Sequence, residues 1–202
     1  MKLSLELVER LEHEVVESFR SLDSRGSEIG GLLLGSVQSG NPARVSIEGY
    51  ELIPCDYARG PLYRFSEADV ERFEKTIAQH NASGGQRVVG FFRSHTRKGL
   101  ALDAEDLAFF TPHFREPHQV ALLIRPYASK ASTAGIFIWE NGTIKGEASY
   151  QEFPFRRADL QNPARPEAAE PAAESPAGGA ALHHPAEPAQ PKPPVRAQIV
   201  PI

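Results

Sequence analysis

The segment GFFRSHTRKGLALDAEDLAFF, residues 90–110, carries the side chains with the clearest chemical potential in the chain. Arg93 and His95 lie close together in it, and Asp103 and Asp106 follow. Histidine and aspartate are common zinc ligands, and one histidine with two carboxylates suits a harder metal ion. An arginine is no ligand, because its guanidinium stays protonated and offers no lone pair. The segment is therefore a candidate metal site, either complete or lost.

The elements around this segment fix how its side chains are presented. The apolar run QRVVGFFRSH predicts a strand in the centre of a sheet. Side chains alternate along a strand, so Arg93 and His95 should face the same side. Asp103 is placed to accept hydrogen bonds at the start of a helix that runs to about His113. The segment is thus predicted to be a strand, a loop and a helix.

The remaining folded part of the chain alternates helices and strands. Residues 4–20 show apolar positions at helical spacing, and EIGGLLLGSV reads as a buried strand whose glycines allow close backbone approach. Ser66 and Asp69 predict a capped second helix, and Asn141-Gly142 suits the type I′ turn of a hairpin. The element order α-β-β-α-β-α-β-β-β predicts one mixed α/β domain, residues 1–155, with a central mixed sheet flanked by helices.

The composition changes after residue 155. Residues 156–202 are rich in Pro, Ala and Glu and contain few large apolar side chains. Such a segment buries too little apolar surface to offset the entropy lost on ordering. We therefore predict a disordered tail at 156–202. Within it PKPPVR, residues 191–196, matches a PxxPx[RK] ligand, a pattern that arises readily by chance in a proline-rich segment.

Charge and cysteine content limit the classes of partner. The formal net charge is −4 and the pI is about 6.0, without a basic stripe, so we expect no nucleic acid partner. Glutamates interrupt the N-terminal helix at helical intervals, so we expect neither a signal peptide nor a membrane partner. The single Cys55 has no partner for an internal disulfide, which favours a reducing, cytoplasmic location.

The order of these motifs resembles the JAB/MPN (JAMM-type) metallopeptidase family. That family has a distant glutamate followed by H-x-H-P-x(6)-S-x-x-D. Glu28, in SEIGGLLLG, falls on the family's glutamate, His95 on the second histidine and Asp106 on the metal-binding aspartate. The resemblance extends over most of residues 1–150. It implies that His95 and Asp106 are metal-ligand positions and that Glu28 is the position of the general base.

The chain departs from the family motif at three positions. Arg93 replaces the first histidine, Thr96 the proline, and Asp103 the serine that helps stabilise the oxyanion. In active relatives two histidines and the aspartate hold zinc, and the glutamate takes a proton from zinc-bound water. With Arg93 in place of a ligand, we expect Glu28 and Asp103 to occupy catalytic positions without being active, and we expect no cofactor.

Three functional hypotheses follow. The first is a catalytically silent JAB/MPN-like domain that binds a protein partner or self-associates, with Arg93 bridging Glu28 and Asp106 in place of the metal. The second is a zinc-dependent peptidase or isopeptidase with altered ligands, in which Asp103 joins His95 and Asp106. The third is an anion site formed by Arg93, His95 and Thr96. The first is the prediction we carry forward.

Overall fold

The computed structural model describes residues 1–21, 26–40, 42–57, 60–162 and 200–201. Within these residues the chain forms nine strands and four helices. The strands are β1 (Lys2–Leu3), β2 (Gly30–Gln38), β3 (Arg44–Leu52), β4 (Arg87–Ser94), β5 (Val120–Arg125), β6 (Thr133–Glu140), β7 (Thr143–Ile144), β8 (Gln151–Pro154) and β9 (Val200–Pro201). The helices are α1 (Leu5–Arg20), α2 (Glu67–Ser83), α3 (Ala104–His113) and α4 (Arg157–Gln161).

The strands form one mixed sheet in the order β7-β6-β5-β4-β2-β3-β1-β9, and β8 pairs with β6. The pairs β4–β5, β1–β3 and β1–β9 are parallel, and the others are antiparallel. β4 lies in the middle of the sheet, and almost all of its residues are buried. The predicted fold class, a mixed α/β domain with a central sheet flanked by helices, is therefore confirmed.

The sheet has an apolar core on each face. Helix α1 covers one face with side chains that include Leu7 and Leu11, packed with Leu33 and Val89 of the sheet. The opposite core joins residues of the sheet, such as Phe91, to the aromatic side chains of α2 and α3. Neighbouring residues of a strand contribute to opposite cores because their side chains alternate. The sheet is thus buried between α1 on one side and α2 with α3 on the other.

The predicted capping and turn residues take the expected geometry. Ser66 and Asp69 exchange hydrogen bonds at the start of α2, and Asp103 and Asp106 do the same at the start of α3. Each pair is a capping box, which satisfies two backbone donors that the first helical turn leaves open. Asn141 and Gly142 both have positive φ, as a type I′ turn requires.

The C-terminal part shows elements that the sequence did not predict. The sequence predicts no strand after the hairpin at Asn141-Gly142, where β8 lies, and α4 lies beyond the boundary predicted at residue 155. Arg157 of α4 forms an ion pair of 2.5 Å with Glu9 of α1, and β9 pairs with β1. The rest of the predicted tail, including the PxxP match at 191–196, lies outside the described residues. Among the described helices, none is long and apolar enough to cross a membrane.

Candidate functional site

The start of β2 and the end of β4 bring the candidate residues into one place. These strands are antiparallel, with Gly30 opposite Arg93. Just beyond, Ser94 donates its N–H to the carbonyl of Ile29 at 2.7 Å, and the Ile29 N–H is donated to Ser94 Oγ at 2.9 Å. The two hydrogen bonds hold residues 28 and 29 against the end of β4. Glu28 therefore lies beside Arg93 although 65 positions separate them in the chain.

Arg93 lies between two buried carboxylates. Its Nη2 is 3.1 Å from Glu28 Oε2, and its Nη1 is 2.5 Å from Asp106 Oδ1. The three residues are 4%, 1% and 4% exposed for Arg93, Glu28 and Asp106, respectively. We call these three residues the Arg93 triad. A fixed cation that contacts two buried anions offsets their negative charge.

Glu28 receives further hydrogen bonds besides the one from Arg93. The Tyr63 N–H donates to Oε2 at 3.1 Å, and the Thr96 N–H donates to Oε1 at 2.9 Å. The Thr96 hydroxyl lies 3.4 Å from the same Oε1. A carboxylate has about four lone-pair sites, and these donors engage both oxygens. Glu28 is thus held as a structural anion, and it would have to break these bonds to accept a proton from water.

Gly30 permits the contact between the loop before α2 and Glu28. A Cβ atom at Gly30 would lie 2.3 Å from the Tyr63 ring and 2.7 Å from the Phe92 carbonyl oxygen. The buried Tyr63 packs directly over this glycine, and its hydroxyl donates to the Ile53 carbonyl. Glycine is the residue that allows this close approach, which brings the Tyr63 N–H to Glu28.

The two aspartates of α3 differ in their electrostatic environment. Burial raises the pKa of Asp106 above its ordinary value, and the Arg93 charge acts in the opposite direction. For Asp103 burial acts to raise the pKa as well. Hydrogen bonds from the Asp106 N–H and the Arg97 side chain outweigh it and lower the pKa to about 2. Asp103 pairs with Arg97 at 2.5 Å, so its carboxylate is directed to a partner outside the triad.

His95 is buried beside the triad, with 3% of its surface exposed. Burial lowers its pKa to about 4, and the charges of Arg93, Arg97 and Arg125 act in the same direction. The ring is therefore neutral at pH 7. Its Nε2 is buried and has no hydrogen-bond partner among the described residues, and the same holds for Arg93 Nε. Two buried polar atoms without a described partner, Arg93 Nε and His95 Nε2, thus belong to residues only two positions apart in the sequence.

The residues present do not fit a bound zinc ion. Arg93 already contacts both Glu28 and Asp106, so its positive charge lies where a cation would have to bind. In the part of the chain that the structure describes, no group of three or more His, Cys, Asp or Glu residues is arranged to hold a metal. The one-histidine, two-carboxylate site considered for His95, Asp103 and Asp106 is not formed.

The anion site considered for Arg93, His95 and Thr96 is not formed as predicted either. Arg93 uses both terminal nitrogens, and Thr96 its N–H, on protein carboxylates. Sequence reasoning also missed two donors, the Tyr63 N–H and the Arg97 side chain. Nothing in the sequence signals a contact made by the backbone of Tyr63. Arg97 was within reach of prediction, since it is a cation in the loop that leads to the Asp103 cap.

Comparison with known proteins gives likeness to solved structures only. No family model and no curated protein matches the chain. Protein structures from Desulfitobacterium hafniense and Salinibacter ruber are 19% and 18% identical, with TM-scores of 0.49 and 0.43. They cover 73% and 74% of this chain, which in turn covers 89% and 90% of theirs.

A JAB1/MPN domain protein from Archaeoglobus fulgidus is also similar, with 16% identity and a TM-score of 0.40. The alignment covers 71% of this chain and 94% of that one. The similar solved structures therefore include a protein of the family that the sequence motif resembles.

Proposed function

We propose that the chain is a catalytically silent JAB/MPN-like domain that acts by binding a protein partner or a second copy of itself. The Arg93 triad is the observation that carries this proposal. Its guanidinium contacts the carboxylates at the general-base and metal-ligand positions, Glu28 and Asp106. A permanent cation there supports a folded domain without metal and opposes the entry of one.

The hydrogen bonding of Glu28 supports the same proposal. A general base needs a free lone pair directed at the proton that it abstracts. Both oxygens of Glu28 already accept hydrogen bonds from the protein. Since the residues that would hold zinc and move a proton are engaged with each other, we derive no hydrolytic step for this chain.

Elemental analysis of the full-length protein, purified without chelator, tests catalytic silence. We expect well under one zinc per chain, and no zinc-dependent cleavage of peptide or isopeptide substrates. Stoichiometric zinc in the wild type, lost on His95→Ala, would overturn the proposal and favour a metallopeptidase with altered ligands. His95 Nε2, which has no hydrogen-bond partner among the described residues, favours this alternative.

The binding role needs its own measurement. Sedimentation of the full-length chain over a wide concentration range separates self-association from binding to a different protein. A reversible dimer would support self-association through the folded domain. A chain that stays monomeric leaves a different protein as the partner. The cytoplasmic location predicted from the single cysteine stays a prediction.

A further inference from the structure

An apolar groove of about 290 Å³, here called the Met1 groove, lies away from the Arg93 triad. Its lining is mostly apolar and includes Met1, Val45, Val120, Ile136, Ile138 and Trp139. All of these except Trp139 belong to the core beneath α1 or pack against it. No Asp, Glu, Lys or Arg is among the described residues that line the groove. The groove therefore suits apolar side chains and offers no counter-charge to an ionic ligand.

The Met1 groove adjoins the edge of the sheet at β1. Strand β9 pairs in parallel with β1, with Val200 opposite Lys2 and Pro201 opposite Leu3. The two strands run in the same direction, so a strand that extends this pair by one residue comes next to Met1, which lines the groove. A strand that continues β9 toward its N-terminus therefore runs along the groove.

The register determines which side chains of such a strand face the groove. Leu3 is buried in the core beneath α1, and Lys2 is exposed. Residues opposite each other in neighbouring strands point to the same side of the sheet, so the position of Pro201 and every second position before it face that core. The sequence has apolar residues at those positions: Val195, Ala197 and Ile199. With polar residues between them, VRAQIVPI has the alternation of a half-buried strand.

The chain is long enough for this segment to reach β1 of its own molecule. The described residues before it end at Asn162, just after α4, which is paired to α1 through Arg157 and Glu9. A flexible chain of the length of 163–199 has a root-mean-square span of about 30–35 Å, and a proline-rich one is longer. Helix α1, with 16 residues, measures about 24 Å. The linking residues can therefore bridge the domain within one molecule.

We propose that the Met1 groove is the docking site of the chain's own C-terminal segment, residues 195–202, which adds to β1 as a parallel edge strand. Ile199 is the main apolar anchor, since it immediately precedes β9 on the side of the groove. The segment covers the β1 edge, and an uncovered edge strand is a site at which other chains pair. A protein that adds a strand at β1 has to displace the segment first. This inference goes beyond the proposed function and does not depend on it.

Trp139, the only tryptophan of the chain, reports on the groove that it lines. In the full-length chain we expect Ile199→Asp to release the segment, because a carboxylate is costly to bury in an apolar groove. The fluorescence of Trp139 should then shift to longer wavelength. Gln198→Asp adds the same charge on the side that faces away from the groove, so this matched control should leave the spectrum unchanged. Equal shifts in the two variants, or no shift in either, would overturn the proposal.

A synthetic peptide of residues 195–202 tests the same groove by competition. Added to the full-length Ile199→Asp chain, the peptide should restore the wild-type fluorescence of Trp139. The wild type should bind it at least about tenfold more weakly, because the tethered segment competes at a high effective concentration. Ala43→Arg, at an exposed position of the groove, should abolish peptide binding when combined with Ile199→Asp. Equal affinity for wild type and Ile199→Asp, or unchanged binding after Ala43→Arg, would contradict docking of the chain's own segment in this groove.

Sedimentation distinguishes the chain's own segment from that of a second copy. We expect wild type and Ile199→Asp to have the same molar mass, whether that is the mass of a monomer or of a dimer. Circular dichroism of both checks that the fold is retained. A wild-type dimer that dissociates in Ile199→Asp would show that the segment docks on a second copy, and the intramolecular proposal would fail.

Discussion

Helices α2 and α3 begin with the same arrangement of hydrogen bonds but differ in the charges around it. In each, the N-cap side chain and an aspartate three positions on exchange hydrogen bonds with backbone N–H groups. Asp69 and Asp106 are both buried. The arginine paired with Asp69 is Arg72, whose side chain is 48% exposed, whereas Arg93, paired with Asp106, is buried.

The pKa values of the two aspartates follow this difference. Burial acts to raise the pKa of Asp69, but hydrogen bonds from Ser66 and Asp56, with the Arg72 charge, bring it below its ordinary value. For Asp106 burial dominates and the pKa is raised. The capping box is common to both helices and does not explain this difference. The buried guanidinium that bridges to Glu28 is what distinguishes the start of α3.

Of the changes considered, removal of the paired arginine should give the largest difference in the free energy of unfolding between the two helix starts. We expect Arg93→Met to lower the free energy of unfolding at pH 7 by about 3–5 kcal/mol, because it leaves two buried carboxylates without a counter-charge. Arg72→Met, the matched control, should cost under about 1 kcal/mol, because Arg72 is half exposed and the buried Asp69 keeps its hydrogen bonds from Ser66 and Asp56. Urea denaturation measures both values. Equal small losses would show that Arg93 does not neutralise the buried carboxylates.

The change of folding stability with pH should have opposite signs for Asp106 and Asp69. Once Arg93→Met removes the counter-charge, burial and the Asp103 charge raise the pKa of Asp106 further above its already raised wild-type position, against only the hydrogen bond from the Asp103 N–H. The folded chain then takes up a proton at a higher pH than the unfolded chain, so its stability rises as pH falls. We expect the cost of Arg93→Met to shrink between pH 7 and about pH 5, as measured by urea denaturation at each pH.

Asp69 should behave in the opposite way. Its pKa is lowered in the fold, so its contribution is complete above the unfolded value of about 3.9 and is lost as pH falls below it. The stability difference between wild type and Asp69→Asn should therefore stay constant from pH 7 to about pH 4 and decrease below. A difference that changes already between pH 7 and pH 5 would contradict this assignment.

Replacing the N-cap side chains should give the smallest difference in stability between the starts of α2 and α3. We expect Ser66→Ala and Asp103→Ala each to cost about 0.5–2 kcal/mol, because each removes an acceptor from the first helical turn. Asp103→Ser keeps the cap and loses only the exposed pair with Arg97, so it should cost under about 1 kcal/mol. Thermal unfolding of the three variants checks this order. Equal costs for Asp103→Ser and Asp103→Ala would assign the Asp103 contribution to the ion pair, which both variants lose.

The comparison also shows which parts of the structure the sequence could predict. Both capping boxes are local, so Ser66 with Asp69, and Asp103 with Asp106, were predictable from spacing alone. The strand of Arg93 was predictable because its apolar run is continuous. By contrast, the two-residue strand β1 and the short helix α4 depend on pairing or contact with distant elements, and their own sequences carry little signal.

The surroundings of the candidate site were harder to predict. The family resemblance pointed to Glu28, Arg93 and Asp106, but the donors from Tyr63 and Thr96 arise only after distant loops pack together. Nor could spacing show that Asp103 pairs with Arg97. These contacts depend on the three-dimensional positions of loops, which spacing along the chain does not determine.

Restoring the family's first histidine tests most directly whether Arg93 takes the place of a metal. Arg93→His removes the cation between Glu28 and Asp106 and adds an imidazole on the same face of β4 as His95. In calorimetric titration we expect the wild type to bind zinc weakly or not at all, and Arg93→His to bind it at about one ion per chain. The double variant with Asp103→Ser should bind it in the family's own arrangement. Tight zinc binding by the wild type, or no gain in Arg93→His, would contradict the account.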